Sequence, residues 1–339
     1  MKFEKSIFAL INKVEKANMP FNVEWELTNR CNLDCLHCLR DRRTDNELST
    51  EEIKDIFLQL RKENCFNLTF TGGEAFLRKD LFEILHFAKK LEFAISVYSN
   101  GTLLNEKDIK LLKKLNLAAV QISLYGATKE VHDSITRVRG SFDKTMSAIR
   151  LLKKHKVPFS IVTMAFNRNF SELRQIRKMA KQNKWDILFD FVIYPALQGD
   201  NSPLCLRTTS EQLGLAFKYK LSSWREDRVG MFKKAPPIGF KSLSGLHLSS
   251  AGKVYPSVLL RIEIGDLRKD TFHNIWHNSP KLKWLRSLVK EDFECFHCKW
   301  YNDCCWKIEM AYLEQGDLFT APKEICRINR IFHEYKQRR

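Results

Sequence analysis

Cys31-Asn32-Leu33-Asp34-Cys35-Leu36-His37-Cys38 places three thiols at i, i+4 and i+7. Such a run can hold three irons of a four-iron cluster and leave the fourth iron open. A cluster held by Cys at every corner carries electrons, whereas one with an open corner can bind another molecule and act on it. The run follows directly on the β-rich stretch Asn22–Leu27, so the thiols fall at the C-terminal edge of a strand. Barrel-like folds gather their reactive groups at that edge.

Outward from this run, short β-rich segments alternate with amphipathic helical ones, the pattern of parallel strands joined by right-handed crossovers. Six units fit, with strands expected at Asn22–Leu27, Asn67–Thr71, Ala94–Tyr98, Ala119–Leu124, Phe159–Ala165 and Ile187–Tyr194. The fold class is therefore α/β, a partial (β/α)6 TIM-like barrel. Ser49 and Glu52 stand in capping-box spacing and predict a helix over Glu51–Glu63. Residues 1–20 read as a helical lead-in, 21–195 as the barrel core, and 196–242, with Pro203, Pro236 and Pro237, as a bridge. Residues 243–330 form a cysteine-rich extension opening on a hairpin, Leu246–Leu248 and Val254–Tyr255 around Ser249-Ser250-Ala251-Gly252. Residues 331–339 read as a basic tail.

With 339 residues and a 44% hydrophobic fraction, the chain can bury a full core. No run approaches the roughly 18 apolar residues of a spanning helix, and Ser6–Ile11 is too short for a signal-peptide core. A cytoplasmic location is expected. Ten cysteines in that compartment point to metal rather than disulfides, and seven of them fall in two tight clusters. The formal net charge of +17 is accounted for by solvated helix faces such as Lys107, Lys110, Lys113 and Lys114. No basic groove studded with aromatic residues is evident, so no nucleic-acid partner is expected.

Later strands also end in small polar groups at the reactive edge. They run into Thr71-Gly72-Gly73-Glu74, into Ser99-Asn100-Gly101, and onto Ser123. Glycines let backbone approach a ligand closely, Glu74 can pair with an ammonium group, and Ser99 or Asn100 can hydrogen-bond hydroxyls. Together they suit an amino acid joined to a nucleoside.

On these residues the chain resembles the radical S-adenosylmethionine (SAM) enzymes. The resemblance implies that Cys31, Cys35 and Cys38 bind a [4Fe-4S] cluster whose open iron is chelated by the methionyl amine and carboxylate of SAM. It further implies that Gly72, Gly73 and Glu74 hold the amine, that Ser99, Asn100 and Ser123 line the ribose, and that the backbone around His37 faces adenine. Ala75 stands where the family usually has Pro, and Tyr125 where related sequences often have Asp. Neither departure is expected to touch the cluster.

Cys295-x2-Cys298-x5-Cys304, followed by Cys326, offers four more thiols. This resembles the SPASM subfamily, whose C-terminal extension usually carries seven cysteines and two auxiliary clusters. All ligands of one such cluster are present, while the positions of the other are occupied by Pro237, Ser257 and Ile308. One closed auxiliary [4Fe-4S] cluster is expected, with structural zinc as the alternative because zinc accepts the same four thiolates. Cys65 reads as an ordinary thiol and Cys305 as a neighbour that is not a ligand.

The implied activity is reductive cleavage of SAM to a 5′-deoxyadenosyl radical that abstracts hydrogen from a substrate. The stretch from Gln121 through His132-Asp133 to Phe142 resembles the peptide- and cofactor-maturing members of the family. A ribosomally made precursor peptide is thus the expected substrate, modified by cross-linking, excision or epimerisation. For epimerisation, Cys205 is the candidate hydrogen donor. Small-molecule side-chain oxidation, as in tetrapyrrole synthesis, and a non-catalytic iron-sulfur or zinc interaction protein are the alternatives. Expected partners are a one-electron reductant such as flavodoxin or ferredoxin and, since residues 1–20 leave no room for a leader-binding domain, a separate leader-peptide-binding protein.

Overall fold

The alternation Asn22-Val23-Glu24-Trp25-Glu26-Leu27-Thr28 decides where the core lies. Side chains on a strand alternate between its two faces, and Val23, Trp25 and Leu27 are essentially without solvent exposure. Trp25 packs edge-on against Phe57 at 5.4 Å and tilts over Phe70 at 6.5 Å, on the side covered by helices. Glu24 and Glu26 face the opposite side, into the lumen of the curved sheet. The structure, a computed structural model, describes residues 18–40, 46–221, 244–301, 304 and 307–338.

The strands are β1 (Asn22–Thr28), β2 (Asn67–Gly72), β3 (Ala94–Ser99), β4 (Ala119–Ser123), β5 (Phe159–Met164), β6 (Asp186–Asp190), β7 (Gly245–Leu248), β8 (Lys253–Tyr255) and β9 (Gly265–Asp266). The helices are α1 (Thr50–Lys62), α2 (Leu81–Lys90), α3 (Glu106–Lys114), α4 (Lys129–Thr136), α5 (Ser141–Lys154), α6 (Leu173–Asn183), α7 (Ser210–Lys218), α8 (Phe272–Asn278), α9 (Pro280–Ser287), α10 (Ile308–Gln315) and α11 (Lys323–Gln337). Strand order is β6-β5-β4-β3-β2-β1-β7-β8-β9. β1 to β6 pair in parallel as neighbours, giving the expected six βα units.

The sequence did not reveal how the hairpin is attached. β7 pairs in parallel with β1, from Asn22 opposite Gly245 to Trp25 opposite Leu248, and β8 and β9 then follow antiparallel. The extension therefore continues the barrel sheet, and one core includes Val23 of β1, Phe272 of α8 and Ile325 of α11. Ser49 and Glu52 form the expected capping box, with the Glu52 amide donating to Ser49 Oγ at 3.2 Å and the Ser49 amide to Glu52 Oε2 at 2.7 Å.

Three boundaries differ from expectation. β6 stops at Asp190 rather than Tyr194, because the Val192 amide turns back to Asp190 Oδ1 at 2.9 Å. The bridge contains a 3-10 turn, Ser202–Leu206, and α7, whose Phe217 meets Phe332 of α11 edge-on at 5.2 Å. α11 runs on to Gln337, through the position where a tail was expected to begin. Residues 1–17 of the lead-in, together with Pro236, Pro237 and Cys305, lie outside the described residues.

Candidate active site at the mouth of the sheet

At the end of β1 the pairing with β2 shifts register, Glu26 lying opposite Thr71 but Thr28 opposite Gly72. The shift turns the chain out of the sheet into the cysteine loop. Backbone bonds clamp the two strand ends together: the Gly73 amide donates to Thr28 O at 2.7 Å and the Glu74 amide to Arg30 O at 2.8 Å. Both glycines are needed for this approach. A Cβ on Gly72, whose φ is +129°, would lie 2.2 Å from Thr28 O, and one on Gly73 2.0 Å from Arg30 O. Their freedom thus fixes the cysteine loop against the second strand as well as leaving backbone open to a ligand.

Glu74 is fully buried just behind this turn. Oε1 accepts the Ser99 hydroxyl at 2.9 Å and the Phe76 amide at 3.2 Å, while Oε2 accepts the Asn100 amide at 2.8 Å. Burial raises its carboxyl to about 7, against the opposing effect of the Asn100, Phe76 and Ser99 hydrogen bonds. Asn100 continues the tie, its Nδ2 donating to Asn32 Oδ1 at 3.0 Å and approaching Cys31 Sγ at 3.9 Å.

The cysteine loop itself is anchored on α4, with the Asp34 amide donating to Thr136 O at 3.1 Å and the Leu36 amide to Ile135 O at 3.0 Å. Cys31, Cys35 and Cys38 are free, half-buried thiols. Burial raises the Cys31 and Cys35 thiols, and each is pushed further up by the charge of its neighbours while Arg40 opposes. Thiols that mutually resist ionisation become stable thiolates when a cation sits among them, because a coordinating thiol is deprotonated outright. The Leu33 amide also donates to Cys31 Sγ at 3.4 Å, the type of bond that tunes cluster sulfurs. The donor set therefore fits an iron-sulfur cluster.

The His37 ring meets Tyr125 edge-on at 4.6 Å and tilts against Phe166 at 4.7 Å. Burial lowers its imidazole to about 3, so it forms a neutral aromatic wall. Tyr125 contradicts the expectation that departures from the family pattern stay clear of the cluster site. Its ring belongs to a small apolar group with Phe166, Ile193 and Leu206, against which Cys35 packs.

Every expected residue of this site except Glu74 lines one cavity of about 340 Å³. Sequence reading missed the groups at its inner end, Glu24, Glu26, Tyr98, Gln121, Asp190 and Tyr194. Glu26 is buried and accepts from Arg261 Nη2 at 2.9 Å, with His247 Nε2 at 3.3 Å. Burial pushes its carboxyl up, but His247 and Arg261 outweigh this and hold it at about 2. Glu24 lies 3.9 Å from His247 Nδ1, and burial raises its carboxyl against the opposing charges of His247 and Arg261. Opposite, Lys307 donates to the Tyr194 hydroxyl at 2.6 Å and lies 4.0 Å from Asp190. The alternation along β1 was the available signal for Glu24 and Glu26.

The second cysteine group gathers where the turn Glu294–His297 meets α11. Burial and the charges of Cys326 and Cys298 raise Cys295 to about 12, so these three thiols lie within electrostatic reach of one another. Cys304 is partly buried against the same core. Of the positions where a further cluster's ligands would stand, Ile308 is buried among apolar side chains and Ser257 accepts the Leu260 amide at 3.1 Å in a turn.

Cys65 is a buried core thiol beside the Phe21 and Asn67 carbonyls. Cys205 is exposed on the turn Ser202–Leu206 and is not among the residues that line the cavity.

A parallel half-barrel with three clustered thiols and, at its C-terminal edge, a cavity lined by both polar and apolar groups fits an enzyme built around a metal cofactor. The sequence model of the radical SAM superfamily matches residues 25–180, and that of the SPASM iron-sulfur cluster-binding domain matches residues 240–299. The chain belongs to the radical SAM superfamily and carries a SPASM-type domain toward its C-terminus. It is 26% identical to an AdoMet-dependent heme synthase of Methanosarcina barkeri, over 90% of this chain and 95% of that one. It is 29% identical to the mycofactocin maturase MftC of Mycobacterium tuberculosis, over 94% of this chain and 85% of that one. Among solved structures, native anSMEcpe with bound AdoMet and the Cp18Cys peptide matches with a TM-score of 0.72 at 19% identity, covering 93% of this chain and 96% of that one. Among the described residues, no helix is long and apolar enough to cross a membrane.

Proposed function

We propose that Cys31, Cys35 and Cys38 hold the active-site [4Fe-4S] cluster, that SAM lies along the ends of β2, β3 and β4, and that the substrate is a ribosomally made precursor peptide. The reading is carried by the cavity that the cysteine loop, Gly72, Gly73, Ser99, Asn100 and Ser123 share. When bound, the cluster and SAM together supply one-electron cleavage of the sulfonium and a 5′-deoxyadenosyl radical that removes hydrogen from carbon.

The chain's own residues bind, orient and exclude water. Gly72 and Gly73, without side chains, let the methionyl end approach the turn closely, with the Glu74 carboxyl behind them. Ser99, Asn100 and Ser123 offer hydroxyl and amide groups to a ribose. The neutral His37 ring, walled by Tyr125 and Phe166, keeps water from the reacting carbon.

The inner end of the cavity favours a peptide. Glu24 and Asp190 present carboxylates that suit amide donors or a cationic side chain and would repel a carboxylated tetrapyrrole. The heme-synthase relatives support that second reading, and the two separate by product. Incubation of reconstituted enzyme with SAM, a reductant such as flavodoxin or ferredoxin, and a candidate precursor peptide is expected to change the peptide's mass. Turnover of a tetrapyrrole with the peptide untouched would overturn the reading. A separate leader-binding protein belongs to the same proposal, and peptide turnover is expected to rise when it is added.

For the C-terminal group we propose one closed auxiliary cluster on Cys295, Cys298, Cys304 and Cys326. Apolar Ile308 and the turn at Ser257 support a single cluster. About eight irons per chain are expected, two clusters of four. About four irons with tightly held zinc would contradict it.

A further inference from the structure

We propose that Glu63, His273 and His277 form a site for one divalent transition-metal ion of the zinc class, pinning the barrel's first helix to the first helix of the C-terminal extension. Glu63 is the residue that closes α1. His273 and His277 stand at i and i+4 on α8 and so share one face of that helix. His273 Nδ1 lies 2.6 Å from Glu63 Oε1, and His277 Nε2 lies 2.9 Å from Glu63 Oε2. The three ligand atoms fall within 4.8 Å of one another, and the imidazole centroids are 4.6 Å apart.

Other contacts hold the two helices in register, so the site needs no backbone movement to form. The Phe272 amide of α8 donates to Gln59 Oε1 of α1 at 2.7 Å, and Trp276 Nε1 ties α8 to the segment before β1 by donating to Asn18 O at 2.7 Å. Phe272 and Trp276 are themselves fully buried. The Glu63 side chain is 17% exposed while His273 and His277 are 68% and 43% exposed, so the carboxylate forms the floor and an ion enters from solvent.

Two imidazole nitrogens and one carboxylate oxygen make a three-ligand zinc set, with the fourth position open to water. The nitrogen donors favour zinc, copper or nickel over magnesium or calcium. None of the three residues lines the cavity that holds Cys31, Cys35 and Cys38, so the site is separate from the active-site cysteines. An ion there would bridge segments 210 residues apart in sequence and hold the extension to the barrel.

The test uses anaerobically reconstituted holoenzyme dialysed against zinc, alongside the double variant His273→Asn, His277→Asn. The expected result is one zinc per chain more in the wild type than in the variant, with equal iron, equal SAM cleavage and a zinc-dependent rise in unfolding temperature confined to the wild type. Cobalt at one equivalent is expected to give d–d absorption without a thiolate charge-transfer band, and the variant to lose it. Equal zinc in both proteins, or a thiolate–cobalt spectrum that survives in the variant, would overturn the proposal. Should the double variant lose iron, Glu63→Gln serves instead: it is expected to lose the zinc, and retention of the full equivalent overturns the site.

Discussion

The Ser99 hydroxyl donates to Glu74 Oε1 at 2.9 Å, joining the turn after β2 to the end of β3 behind the cysteine loop. Burial raises the Glu74 carboxyl to about 7 even with this bond in place. An acid whose folded pKa is raised holds its proton in the native state after the unfolded chain has lost it, so stability falls as pH rises through that window. Between the ordinary glutamate value of about 4.3 and about 7, wild type should lose stability relative to Glu74→Gln. Urea unfolding of both proteins across that range measures the difference, and parallel profiles would contradict the buried, protonated state.

Gly73→Ala should disrupt the cysteine loop more than its small size suggests. The added Cβ would meet Arg30 O at 2.0 Å, a backbone atom that cannot move aside without carrying Cys31 with it. Overpacking of this kind costs about 1–3 kcal/mol. The expected result is a lower unfolding midpoint and loss of iron from the active site, counted against the same protein with the C-terminal cysteines intact.

Removing Arg261 should expose the inner end of the cavity to its own charge. Glu26, buried and held at about 2 by His247 and Arg261, would keep only His247. Breaking one partner of a buried pair costs about 3–5 kcal/mol, and Arg261→Leu is expected to fall toward the lower figure because His247 remains. The linkage runs opposite to that of Glu74: a depressed carboxyl stabilises the fold above the ordinary glutamate pKa and loses that contribution as pH falls toward about 2. Acid unfolding of the variant should therefore show a shallower pH dependence.

Much of this was legible in the sequence because it is local. Strand positions, the Ser49 and Glu52 capping box and the cysteine spacing each depend on neighbours within a few residues. β7 beside β1 was not legible, since nothing near Gly245 names its partner Asn22. Glu24 and Glu26 were present as an alternating pattern, but only the curvature of the sheet turns that face into a cavity wall. Glu63 with His273 and His277 was hidden for the same reason as β7. Cys205 shows the converse, a residue of suitable chemistry that the turn Ser202–Leu206 leaves facing solvent.

Cys298→Ala should separate the two cysteine groups. Cys298 is exposed and distant in sequence from the active-site loop, so its loss is expected to lower iron by about four per chain while SAM cleavage survives. Iron analysis paired with 5′-deoxyadenosine chromatography reads both. Loss of cleavage with the first cluster still present would assign the C-terminal group a part in priming.

The most direct test is 5′-deoxyadenosine formation by the reconstituted wild type and by the triple variant of Cys31, Cys35 and Cys38 to Ala, each given SAM and a strong one-electron reductant. Wild type should form 5′-deoxyadenosine, and the triple variant should form none while keeping about four irons. No 5′-deoxyadenosine from iron-replete wild type, or equal formation by the triple variant, would contradict the account.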